Sequence, residues 1–101
     1  MQKLPRTDLV PLELPVDIPE NRVWAFEITR EEVIAVVGGP RLEESDPSFV
    51  PGPVLTWALG TRDGSFKSVL DFHVTKGVLV VNCIPADSAL AARILGFAEP
   101  A

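Results

Sequence analysis

His73, Asp71 and Cys83 are the residues whose types could do acid–base or nucleophilic chemistry, and their spacing decides how much. His73 stands two residues from Asp71, so on an extended strand both side chains leave one face, and the carboxylate can orient the imidazole as a general base. Such a pair still needs a nucleophile. Cys83 is the single thiol of the chain. In the strand register developed below it shares that face but lies opposite Val69, roughly 13 Å along the strands from His73, too far for direct activation. A small hydrolase using His73 and Asp71 is therefore an alternative only. No residue is assigned a catalytic role, and the expected protein is not an enzyme.

Glu43, Glu44 and Asp46 form the one acidic cluster, without the ligand spacing of a zinc or calcium site. No metal and no cofactor is expected. Gly38-Gly39 follows an apolar segment instead of preceding a helix, so its amides sit at the wrong electrical end for a phosphate cradle. A solvated loop or a contact with a basic protein suits the acids better, and a helix stop suits the glycines.

The totals agree with this. The 101 residues suit one domain, and 47% apolar composition argues against disorder as the main state. Fourteen acidic residues against nine basic give a net charge of -5, which disfavours nucleic acid and is compatible with a basic protein partner. A single cysteine excludes a disulfide scaffold. No segment reaches the roughly 18 apolar residues of a membrane span and the first residues lack the apolar run of a signal peptide, so a cytoplasmic protein is expected. Homo-oligomerisation stays open, the outer strands and last helix being the apolar surfaces that would carry it.

These side chains must be positioned by regular elements. Residues 1 to 21 contain four prolines and read as an extended arm lying over a single α+β domain of residues 22 to 97. "NRVWAFEI" alternates as a strand. "TREEVIAVVGGP" then reads as a short helix: Thr29 caps it, Glu32 returns the reciprocal bond, Ile28 and Val33 form a hydrophobic staple, and Gly38 to Pro40 end it. Residues 41 to 53 read as a long loop. From Val54 onward, "VLTWALG", "SFKSVLDFHV" and "VLVVNCI" are separated by "TRDG" and "TKG". A two-residue Asp63-Gly64 loop places Trp57 opposite Leu70 and Leu55 opposite Phe72. A three-residue loop over 75 to 77 places Phe72 opposite Val80 and Leu70 opposite Asn82. Val78, Val80 and Ile84 then join Leu55, Trp57, Leu59, Phe66, Leu70, Phe72 and Val74 on the core face. Leu79, Val81 and Cys83 fall on the other face with Thr56, Ala58, Lys67, Val69, Asp71 and His73. A last helix, "SALAARIL", is capped by Asp87 or Ser88 and stopped by Gly96. The expected architecture is an antiparallel sheet with a three-stranded meander, one face covered by two short helices, in the order β-α-β-β-β-α.

Over residues 28 to 81, Thr29, Val33, Gly38 and Pro40 followed by the strand tryptophan Trp57 resemble the helix-end and strand pattern of small BamE-like modules of bacterial outer-membrane assembly. The resemblance implies a helix packed on a small sheet and a protein-binding role. Helix-plus-sheet immunity proteins of bacterial toxin systems, which are small and acidic, are a second resemblance. The expected function is a non-catalytic protein-binding module, an immunity or inhibitor protein acting on a basic partner, with a BamE-like structural module as the alternative. Contacts are expected from Glu43, Glu44, Asp46, Lys67, Asp71 and His73.

Overall fold

The computed structural model describes residues 9–13, 16, 18, 24–44 and 52–98. Its elements are β1 (Leu9–Pro11), β2 (Trp24–Glu27), α1 (Arg30–Val37), β3 (Leu42–Glu44), β4 (Val54–Thr61), β5 (Lys67–His73), β6 (Val78–Ile84) and α2 (Ser88–Leu95). Among the described residues the six strands form one antiparallel sheet, ordered β1-β4-β5-β6-β2, with β3 also on β4. This corrects the expected sheet built on a three-stranded meander. The two additional strands come from segments that read as arm and loop. Leu9–Pro11 pairs with Leu59–Thr61, and Leu42–Glu44 pairs with Val54–Thr56. Both are edge strands of three residues, where a proline costs no ladder bond on the solvent side. Residues 45 to 51, including Asp46, lie outside the described residues.

Local chemistry explains the helices. The Thr29 hydroxyl accepts the Glu32 N–H at 3.2 Å and donates to Oε1 of Glu32 at 2.9 Å, so the Glu32 carboxylate meets the cap's side chain rather than its backbone. Gly38, at φ 85°, ends α1, and its N–H donates to Ile34 O at 2.8 Å. Asp87 caps α2 by accepting the Leu90 N–H at 3.1 Å, and Gly96 takes the left-handed position at the other end.

Leu55 pairs with Phe72 and Trp57 with Leu70, the pairing that follows from the Asp63-Gly64 turn. The second turn differs. Phe72 pairs with Leu79 and Leu70 with Val81, one residue away from the expected register. The cause lies at Val74. Its N–H donates to Pro53 O at 3.0 Å, prolonging the β4–β5 ladder, and the chain turns through Val74 to Gly77 with the Gly77 N–H closing on His73 O at 2.8 Å. A four-residue turn replaces three, and a slip of one residue turns every β6 side chain over. Leu79, Val81 and Cys83 are therefore buried, whereas Val78 and Val80 are half-exposed and Ile84 is 39% exposed.

The core lies between one sheet face and both helices. Leu55, Trp57, Leu70, Phe72, Leu79, Val81 and Cys83 meet Val33 of α1 and Ala91, Ile94 and Leu95 of α2. The Trp57 indole Nε1–H donates to Gly38 O at 2.9 Å, tying the end of α1 to β4. Trp24 and Phe26 stack at 4.1 Å, with Phe97 edge-on to both, closing the core at the β2 side.

Candidate functional site

The register aligns the outer face of the sheet, opposite the helices, into rows. One runs Glu27–Val78–His73–Val54–Glu44 across β2, β6, β5, β4 and β3, and the next runs Ala25–Val80–Asp71–Thr56–Leu42. A third holds Asn82, Val69 and Ala58, and a fourth holds Ile84, Lys67 and Gly60. With strands about 4.8 Å apart, Glu27 and Glu44 mark the two ends of a row about 19 Å wide. Its β4 side is closed: Val54, Thr56 and Ala58 are all buried, and Leu12 lies against Gly60. On β5 and β6, Val69, Val78 and Val80 remain half-exposed.

The contact candidates divide between faces. Asp71, His73, Lys67 and Glu44 belong to the outer face. Glu43, pairing with Leu55, belongs to the helix face, where its carboxylate lies 4.0 Å from the Arg30 guanidinium of α1. Two adjacent acids on a strand point opposite ways, so Glu43 and Glu44 are not one cluster. Lys67 is six residues from His73 on β5, roughly 20 Å along the strand. Asp71, His73 and, two strands over, Glu44 are what the fold brings together.

Asp71 does not stand free to orient His73. Its Oδ1 accepts the Thr56 hydroxyl at 2.8 Å across the β4–β5 ladder, a bond that also satisfies the buried threonine. Cys83 pairs with Ser68, not Val69, and sits on the helix face, so the sheet itself separates it from His73. Its thiol donates to Pro85 O at 3.1 Å, and burial pushes its pKa up, the reverse of what a nucleophile requires. Among the described residues no three His, Cys, Asp or Glu side chains converge, and no helix is long and apolar enough to cross a membrane.

Sequence reasoning passed over a second feature, a groove of about 380 Å³ at the β4 edge. β1 ends at Leu59 and β3 begins at Thr56, leaving Trp57 and Ala58 between two collinear edge strands. Pro11 and Pro40 flank the gap, and Arg41 lines it. The signal in the sequence was two prolines with an arginine, which is uninformative until both segments are known to share one edge.

No protein-family model, curated protein or solved structure matches this chain.

Proposed function

We propose that the chain is a non-catalytic protein-binding module that docks a basic partner on the outer face of the sheet, along the row from Glu27 of β2 to Glu44 of β3, in the manner of an immunity or inhibitor protein. The observation that supports this most is the composition of that face. Half-exposed Val69, Val78 and Val80 and exposed Ile84 supply desolvatable area, and Glu27, Asp71 and Glu44 supply charge opposite in sign to the proposed partner. Lys67 at one end would fix orientation by repelling a partner placed backwards. A free, buried Cys83 is compatible with a reducing cytoplasm, where such a module would act.

Capture of a partner from the source organism's lysate tests the reading. Capture should weaken as salt rises, and Glu27→Lys with Glu44→Lys should abolish it. Equal capture by that double variant would refute the docking face. Turnover of a substrate by the isolated chain, lost on His73→Ala, would refute the non-catalytic role.

A second reading, a structural module of the BamE-like kind, draws support from the Trp57–Gly38 hydrogen bond, which joins the helix end to the tryptophan strand that together carry the resemblance. A toxin gene beside the coding sequence would favour the first reading, and an envelope-assembly neighbourhood the second.

A further inference from the structure

The groove at the β4 edge is chemically unlike the docking face. Its walls come from Val37 of α1, Leu59 and Trp57 of β4, and Pro11 and Pro40, whose ring nitrogens carry no hydrogen to donate. Arg41 is the charged side chain among the lining residues, and it is exposed. Among the described residues Arg41 makes no ion pair, and the nearby Glu43 carboxylate lies 4.0 Å from Arg30.

The frame around the groove is fixed. The Arg41 N–H donates to Thr56 O at 2.7 Å and the Leu12 N–H to Ala58 O at 2.8 Å, so the two strand ends are pinned on either side of the gap. The indole of Trp57 is locked by its bond to Gly38 O, which also uses up its only polar atom. Gly39 adds no side chain, and a Cβ there would meet nothing within 4 Å, so the mouth is open. A preformed recess of mixed apolar and polar wall, with one cation at its lip, fits a ligand with an apolar body and one anionic, planar end. A carboxylate matches the guanidinium fork in both charge and geometry. At about 380 Å³ the space lies at the small end of the volumes of ligand sites.

We propose that this groove binds a small monocarboxylate with an apolar body, with Arg41 holding the carboxylate and half-buried Val37 and Leu59 taking the hydrocarbon body over the buried Trp57. The site is independent of the proposed docking face and can fail or stand without it.

NMR titration of the ¹⁵N-labelled full chain with 3-phenylpropionate and 4-methylpentanoate tests it, the matching primary amides serving as neutral controls. The expected result is saturable shifts of the Trp57 indole N–H and the Gly39 and Arg41 amides, with Kd on the order of 1 mM for ligands of this size. The amides should bind about tenfold more weakly, Arg41→Gln should weaken the acids by a similar factor, and Arg41→Lys should retain part of the affinity. Equal binding of acids and amides would overturn the proposal without any variant being needed. So would unchanged affinity in Arg41→Gln, absence of shifts at about 20 mM acid, or shifts confined to β5 and β6. A peptide ending in leucine that binds while the free acids do not would overturn the small-molecule assignment.

Discussion

Replacing Val81 and Val80 in turn by alanine tests the β5–β6 register on which the proposed docking face depends. The two residues are chemically identical, adjacent on β6 and lose the same two methyl groups, so strand propensity cancels between the variants. Val81 is 0% exposed within the core cluster, whereas Val80 lies partly exposed on the outer face. Removing two fully buried methyls forfeits about 1.6 kcal/mol of transfer energy, and the cavity left under α1 and α2 raises the loss to about 2–3 kcal/mol. At Val80, which is still largely buried, about two thirds or more of the transfer term is lost but no enclosed cavity forms, giving about 1–1.5 kcal/mol. Urea unfolding followed by tryptophan fluorescence measures both at unchanged m-value. In parallel thermal melts the midpoint temperatures should differ by about 4–8 °C for each kcal/mol separating the variants. Equal losses, or a larger loss at Val80, would refute the four-residue turn. The register with Val80 in the core would then hold, and Val78 and Val80 would leave the docking face.

Cys83, buried on the helix face, should react with a thiol reagent only on unfolding, and reaction with the native chain at the rate of a free thiol would contradict its placement. Gly60→Ala should destabilise by about 1–3 kcal/mol in thermal melts, because a Cβ there would lie 2.8 Å from Phe66 O and 3.1 Å from Leu12 Cδ1, whereas Gly39→Ala, with open space around it, should stay within about 0.5 kcal/mol. Asp63 accepts the Ser65 N–H at 2.9 Å and the Thr61 hydroxyl at 2.8 Å, and with the Ser65 hydroxyl these hold its pKa down from 3.8 to about 2. A depressed carboxyl contributes stability that is fully present above pH 3.8 and is lost as pH falls through about 2, so an NMR titration of Asp63 should show its midpoint near 2 and Asp63→Asn should flatten stability over that window.

Much of the local structure was legible in the chain. Thr29, Asp87, Gly38 and Gly96 mark helix ends through bonds spanning three or four residues, which a sequence carries explicitly. The Asp63-Gly64 turn likewise set the β4–β5 pairing. The second turn was not legible, because its length depends on Val74 spending its N–H on Pro53, a partner 21 positions earlier in the chain. Nothing between Thr75 and Gly77 records that bond. The edge strands β1 and β3 were missed for a related reason: three residues among prolines have no periodicity of their own and become strands only where β4 offers a free edge.

The candidate site divides along the same line. That His73 and Asp71 share a face follows from the two-residue repeat of any strand, and the sequence alone determined it. That Cys83 lies on the opposite face, that Glu43 and Glu44 part company, and that Thr56 occupies the Asp71 carboxylate were decided by pairing between segments distant in the chain. Side-chain alternation has a period of two, so each strand's pattern is internally definite. Which of its faces meets the core is set by a single residue's difference in the turn that delivers it, and long-range hydrogen bonds make that choice.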